Sequence, residues 1–411
     1  MLNIIQTFKK NNNLLYELLL GLITALLFSA FIYLEEFGFT IQILNTIFAL
    51  CALALFLYIP KRSVLVAGFS IGILWFYWIA YSFEYQGVGY MAPFIIFSFG
   101  IIYMLFFGVL ALTNKVYIRA VLIFALSYFE PFDWNWLQIE LIFVDSYIGI
   151  YKYQLASVLV SLSLISYIKK PYKYAPLILL LVAINYSTEL PKLAPLKIKL
   201  VQTDIKQEKK WKRETLRPTI SYIYKEIQTA TSETYDIVVF PESVFPLYMN
   251  KHPRLVHQLS ILSKDIAIVA GSLYKEDGKN YNVTYLFEDG KYKIAKKLVL
   301  VPFGEYIPLP KFAIKIINDT FFSGTSDFKT ASSPTDFIIK GVKFRNAICY
   351  EATCQEIYEG DVNFVIASSN NAWFAPSIEP TLQKLLMRYY ARKNGVTIYH
   401  SANYKGTGIV R

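Results

Sequence analysis

Three residues able to cooperate in acyl chemistry stand at or near the ends of apolar runs. Glu242 follows Ile237-Val238-Val239-Phe240-Pro241, Lys297 precedes Leu298-Val299-Leu300-Val301-Pro302, and Cys349 closes Ala347-Ile348-Cys349 ahead of Tyr350-Glu351. A free thiol has a pKa of about 8.5 and needs a base or a nearby cation to attack an acyl group at neutral pH. Glu242 can take the thiol proton, provided burial raises its pKa towards the working range. Lys297 can lower the thiol pKa and, with a backbone N–H beside Cys349, stabilise a tetrahedral oxyanion. Taken singly, each has a plainer reading: a small buried hydrophobe, a solvated cation and a turn or helix-start carboxylate. His252, His257 and His400 lie in no triad-like context, which argues against serine- or histidine-based hydrolysis. Three histidines without paired His/Cys spacing also argue against a metal site, and nothing calls for a cofactor.

Side chains at strand ends are fixed by the strand while the following loops stay open to ligand. From Pro191 onward the chain alternates short apolar runs with polar helical patterns. Strands are expected at 197–203, 235–240, 266–272, 281–288, 293–299, 336–340, 344–350, 363–368 and 396–402, and helices near 208–230, 251–263 and 378–394. This interleaving predicts an α/β or layered α+β domain over 191–411, a normal size for one core.

Residues 1–190 have a different texture. Of the 411 residues, 55% are hydrophobic and only 17% charged, with a mean hydropathy of +0.37, against about 25% charged in soluble domains. The 31 Phe and 32 Tyr exclude intrinsic disorder. Apolar runs at 14–34, 40–59, 64–82 and 91–112 approach the length that spans a bilayer, and shorter ones follow at 116–129, 153–168 and 174–187. About seven transmembrane helices are expected, the first a retained anchor. The formal net charge of +11 could suggest a nucleic-acid partner, but much of the excess lies in short loops between apolar runs. With a cytoplasmic N-terminus, the inner segments hold Lys9, Lys10, Lys61, Arg62, Lys115, Arg119, Lys169, Lys170 and Lys173. The outer loops hold Glu35, Glu36, Glu84, Glu130, Asp133, Glu140 and Asp145, with Lys152 the only base. That asymmetry follows the positive-inside rule and places residues after 188 on the outer face. An even number of spans would put them in the cytoplasm instead. The aromatic loop 130–152 reads as an interfacial belt or as a wall of a lipid-facing site.

The ordered set Pro241-Glu242, Lys297 before Val301-Pro302-Phe303-Gly304-Glu305, and Cys349-Tyr350-Glu351 resembles the Glu–Lys–Cys triad of the nitrilase superfamily. The string Leu300 to Pro308, downstream of a multi-span segment, resembles its membrane-bound branch, the apolipoprotein N-acyltransferases. The resemblance implies an αββα nitrilase-like domain beyond a polytopic helical membrane domain, in the bacterial cytoplasmic (inner) membrane with the catalytic domain on the periplasmic side. It implies Glu242 as general base, Lys297 as oxyanion-stabilising lysine and Cys349 as nucleophile. Glu305, Tyr350 and Glu351 would be supporting residues. Trp211 would lie on an arm at the substrate entrance, with Trp373 in a segment, Asn371-Ala372-Trp373-Phe374, that resembles Asn-Asp-x-Trp-Phe, shifted at Asn370 or Asn371. The implied reaction carries an acyl chain from a phospholipid, through a Cys349 thioester, to the α-amino group of a diacylglyceryl-cysteine on an apolipoprotein. Two departures stand out. Phe240-Pro241-Glu242-Ser243-Val244 replaces the usual Trp-Pro-Glu-Thr-Ala, and the chain stops at Gly408-Ile409-Val410-Arg411, short of the further strands and last span that the family implies. A membrane-tethered amidase or nitrilase-type hydrolase, and an inactive truncated remnant, are the alternatives.

Overall fold

The computed structural model describes residues 13–85, 87–187, 189–302, 305 and 328–411. Lys9, Lys10, the side chain of Asp133, Phe303, Gly304 and Tyr306 to Pro308 lie outside the described residues. The chain divides into two compact units, one of residues up to Pro131 with Leu137–Thr188, the other of Phe132–Trp136 with Glu189–Arg411.

The first unit is helical: α1 (Asn13–Glu36), α2 (Gln42–Tyr58), α3 (Lys61–Phe76), α4 (Ile79–Glu84), α5 (Ala92–Gly108), α6 (Val116–Leu126), α7 (Lys152–Leu164) and α8 (Leu180–Ala183). Asn13–Glu36 and the continuous helical stretch Gly89–Leu112 are long and apolar enough to cross a membrane, whereas Gln42–Tyr58, Val116–Leu126 and Tyr172–Ala183 are shorter apolar helices. The expected helix at 174–187 is instead a 3-10 turn, Tyr172–Leu179 with Pro176 inside it, running into α8. α1 exposes Leu15, Leu18, Leu19, Leu22 and Leu26, an apolar face suited to lipid rather than water. Gly72 lets α3 meet α5 closely, since a Cβ there would sit 2.3 Å from the Phe99 carbonyl oxygen.

Two expected loop charges are interior instead. Arg119 is buried and donates to the carbonyls of Phe56, Ile59, Leu110 and Thr113, so it caps the end of α2 and the chain leading into α6. Glu140 is fully buried and pairs with Lys152 Nζ at 2.5 Å. A buried charge is tolerable only when paired or hydrogen-bonded in this way.

The second unit is a sandwich of two mixed sheets. The first contains β1 (Ile198–Leu200), β2 (Ile237–Val239), β3 (Phe245–Tyr248), β4 (Ala267–Glu276), β5 (Lys279–Glu288) and β6 (Lys291–Lys296), in the order β1-β2-β4-β5-β6 with β3 also on β4. The second contains β7 (Asp336–Ile339), β8 (Val342–Ile348), β9 (Phe364–Asn370), β10 (Thr397–Asn403) and β11 (Gly408–Val410), in the order β11-β10-β9-β8-β7. Strands β8, β9 and β10 are parallel, with antiparallel β7 and β11 at the edges. Two strands, β3 and β11, fall outside the expected set.

Side chains alternate across each strand, and that period builds the layers. Ile237, Val239, Ala267 and Val269 meet Phe337, Phe344 and Ile366 of the second sheet. Val238 and Ile268 turn the other way, towards Ile223 and Ile227 of helix α10 (Arg213–Ser232) and Leu259 of α11 (Pro253–Leu262). α10 follows a short helix α9 (Gln207–Lys210), and α12 (Glu379–Asn394) buries Leu382, Leu385 and Leu386. The fold is therefore an αββα sandwich.

Candidate active site

The residues expected to do chemistry leave the sheets in tight turns. Beyond β2 the chain stays bound to β4 through Phe240 N–H to the Val269 carbonyl at 2.8 Å, then turns at Pro241. Glu242 is 8% exposed, and Ser243 takes a left-handed φ of 47°. The turn lies on Gly271 of β4, where a Cβ would be 2.4 Å from Ser243 N and 2.8 Å from Glu242 Cα. Asn282 of β5 donates from Nδ2 to Glu242 Oε1 at 2.7 Å, and the buried Lys210 Nζ donates to the Glu242 carbonyl at 2.9 Å. Main chain and carboxylate are both held.

Lys297 follows β6 directly, its N–H bonded to the Asn282 carbonyl at 2.9 Å. Its ammonium, 1% exposed, lies 2.7 Å from Glu305 Oε2 and 2.9 Å from Oε1. Glu305 also accepts Val301 N–H. Burial disfavours the Lys297 ammonium, but the charges of Glu305, Glu242 and Cys349 outweigh it and lift the pKa above the ordinary lysine range. Lys297 is a fixed cation at any working pH.

Cys349 follows the last residue of β8 with φ 56°, opening a 3-10 turn Cys349–Thr353. A left-handed conformation is uncommon for a non-glycine residue, and such positions gather at functional sites. Burial holds the thiol well above its usual pKa, and the charge of Glu242 adds to this. Lys297 opposes both, while Glu379 and Glu305 act in the same upward direction. The resting sulfur is thus a thiol. The expected lowering by Lys297 is present but is outweighed, so a base must remove the proton in the reacting step. Glu242, Lys297 and Cys349 are brought together, each within electrostatic reach of the others.

Glu351 ties the turns to one another. Its Oε2 accepts Ile348 N–H at 2.6 Å, and its Oε1 accepts the N–H groups of Val299, at 2.9 Å, and of Leu298. Burial pushes this carboxyl up to about 7, against Lys297 and the three N–H groups that favour its ionised form. Tyr350 is buried and stacks on Trp134 and Trp136, with ring centroids 5.6 and 6.2 Å away. Trp136 Nε1 donates to Thr353 Oγ1 at 2.9 Å and Asn135 Nδ2 to the Thr353 carbonyl at 2.6 Å. Those two tryptophans are 6% and 3% exposed, so they are no interfacial belt, although Phe132, Tyr147 and Tyr151 remain exposed. Trp211 is exposed at the end of α9, next to Lys210. Trp373 is half-buried in the 3-10 turn Asn371–Phe374.

The two asparagines before that turn do different work. Asn370 donates to Gln207 Oε1 and accepts from Asn403, linking β9 and β10 to α9. Asn371 donates to the Lys405 carbonyl at 2.9 Å and to Gln383 Oε1 at 3.1 Å. This aims the Gln383 amide N–H at Cys349 Sγ, 3.9 Å away. His400 is a neutral structural residue: its Nδ1 lies 2.8 Å from the Gly406 carbonyl, its Nε2 2.8 Å from Ser369 Oγ, and burial lowers it to about 4.

Lys210, Asn282, Glu379 and Gln383 lie outside the set expected from sequence. Lys210 stands in a Lys-rich stretch, but burial lowers it to about 8 although Glu242 and Cys349 favour its charge. Its position before Trp211 was the available signal. Asn282 sits in an alternating strand and Gln383 in a helical pattern, so neither carried a distinguishing one.

The chain matches two family profiles in tandem: the apolipoprotein N-acyltransferase integral membrane domain over residues 15–186, and carbon-nitrogen hydrolase over 197–406. It is similar to a protein named apolipoprotein N-acyltransferase from Wolinella succinogenes, 42% identical over 95% of this chain and 95% of that one. Proteins of the same name from Helicobacter hepaticus and Helicobacter pylori are each 35% identical, over 90% and 89% of this chain and 94% and 87% of theirs. Among solved structures, a CN-hydrolase superfamily protein from Xanthomonas campestris superposes with a TM-score of 0.40 at 14% identity, covering 52% of this chain and 77% of that chain.

Proposed function

The chain belongs to the apolipoprotein N-acyltransferase family, and we propose that Glu242, Lys297 and Cys349 carry out its acyl transfer between two lipid-anchored substrates. It is a membrane-bound acyltransferase. In the first half-reaction, Glu242 takes the Cys349 proton as sulfur attacks the ester carbonyl of a phospholipid. Lys297 and a main-chain N–H at the nucleophile turn stabilise the oxyanion, and Glu242 returns the proton to the departing lysophospholipid oxygen. In the second, the α-amino group of a diacylglyceryl-cysteine attacks the thioester. The N–C bond forms, the C–S bond breaks and the thiol is restored.

The observation that carries this reading is a Cys349 nucleophile turn set beside a glutamate and a lysine that are themselves held by Asn282 and Glu305. The membrane unit supplies the other half of the argument. A soluble enzyme would draw acyl chains into water, at about 0.8 kcal/mol per exposed CH₂. We place the catalytic unit on the periplasmic face of the bacterial cytoplasmic membrane, a reading supported by the charge asymmetry of the sequence between its apolar runs.

Incubation with phospholipid and a diacylated lipopeptide tests the reaction. Triacylated peptide is expected, and release of free fatty acid alone would return the hydrolase reading.

A further inference from the structure

Near the nucleophile lies a carboxyl group that neither half-reaction as written above uses. Glu379 opens α12, is 1% exposed, and its Oε2 has no hydrogen-bond partner among the described residues. One helical turn on, Gln383 points its amide at Cys349 Sγ. Residues four apart share a helix face, so Glu379 belongs to the wall from which Gln383 reaches the sulfur. Burial, and after it the charge of Glu242, hold the Glu379 carboxyl well above the usual range. A buried carboxyl oxygen without a donor costs stability unless a ligand supplies one.

Resting on the acyl-transfer reading above, we propose that Glu379 is the acceptor subsite: it binds the substrate's α-ammonium group and delivers it as a free amine to the Cys349 thioester. Glu379 is protonated in the empty site. As the ammonium docks, the acid's proton leaves to solvent and carboxylate pairs with cation. The carboxylate then takes one proton from nitrogen, which leaves a neutral amine and a protonated Glu379. The amine attacks the thioester carbon, N–C forms as C–S breaks, and the second amine proton passes through Glu242 to sulfur. One proton is released overall, as an ammonium and a thioester becoming an amide and a thiol require. The phospholipid donor needs no such cation receptor at its ester, so the first half-reaction depends on Glu379 far less than the second.

The test separates the half-reactions in the full-length protein. Glu379→Gln and Glu379→Asp are compared with the parent for thioester formation on Cys349 from a diacyl phospholipid, for transfer to a diacylated lipopeptide with a free N-terminus, and for thioester cleavage by hydroxylamine. Glu379→Gln should form thioester within about twofold of the parent and be cleaved normally by hydroxylamine, yet transfer at least about tenfold more slowly, with a raised KM for the peptide. Glu379→Asp should recover part of the loss. Normal transfer by Glu379→Gln, or an equal loss in both half-reactions, overturns the assignment. A parent protein that forms no thioester overturns the acyl-transfer reading itself.

Discussion

Asn282 Nδ2 lies 2.7 Å from Oε1 of Glu242, which fixes one oxygen of the carboxylate and sets the orientation of the other. The contact comes from the middle of β5, an antiparallel neighbour of β4, so a rigid sheet element aims the base. Glu242→Gln keeps an oxygen able to accept from Asn282 but removes the base. It should retain the fold and lose about 10²–10⁴-fold in thioester formation, measured on purified protein. A loss below tenfold would remove Glu242 from that role.

Gly271 is required by steric contact with the same turn. A Cβ at Gly271 would press on Ser243 N and Glu242 Cα, both main-chain atoms that cannot move aside as a side-chain end can. Gly271→Ala should therefore displace Glu242 and lower turnover at least about tenfold, as an ångström-scale misplacement does. The check is acyl transfer, with alkylation of Cys349 reporting that the thiol itself stays intact.

Glu351 gives a pH dependence with opposite signs for stability and activity. Its carboxyl titrates at about 7 in the folded chain against an ordinary value of 4.5. Its contribution to stability is therefore fully present below 4.5 and lost as pH rises through 7. The carboxylate that accepts three N–H groups forms over the same interval, so turnover should rise through pH 7. Glu351→Gln should flatten this limb of the activity profile and cost about 1–3 kcal/mol, because an amide N–H cannot serve all three donors. Unfolding and turnover measured from pH 5 to 8 check both signs.

Tyr350 links the nucleophile turn to Trp134 and Trp136. Tyr350→Ala should cost about 3–5 kcal/mol, in the range of buried aromatic truncations. Tyr350→Phe keeps the ring stack and gives up the long contact from Asn135 N–H to its hydroxyl, 3.4 Å. Thermal unfolding of the two variants should therefore differ widely, with the phenylalanine form close to the parent.

Much of this was legible in the sequence because it was periodic or punctuated. Runs such as 235–240 and 266–272 alternate between two buried faces and so read as strands, and Pro241-Glu242 and Cys349-Tyr350-Glu351 mark where strands stop. Edge strand β11 is three residues long, too short to show a period. Burial of Arg119 and Glu140 depends on carbonyls and a lysine distant in the chain, which local charge counting cannot weigh. The same holds for Trp134 and Trp136, whose composition fits a membrane interface but which stack on Tyr350, distant in the chain. Asn282 and Gln383 gain their meaning from tertiary contact with Glu242 and Cys349, and Glu379 from its place one helical turn before Gln383.

The most direct measurement is mass spectrometry of the purified protein after exposure to phospholipid with no acceptor present. An acyl adduct on Cys349 is expected, absent from Cys349→Ala and discharged on adding a diacylated lipopeptide. An unmodified Cys349 alongside normal transfer, or normal transfer by Cys349→Ala, would contradict a thioester on that sulfur.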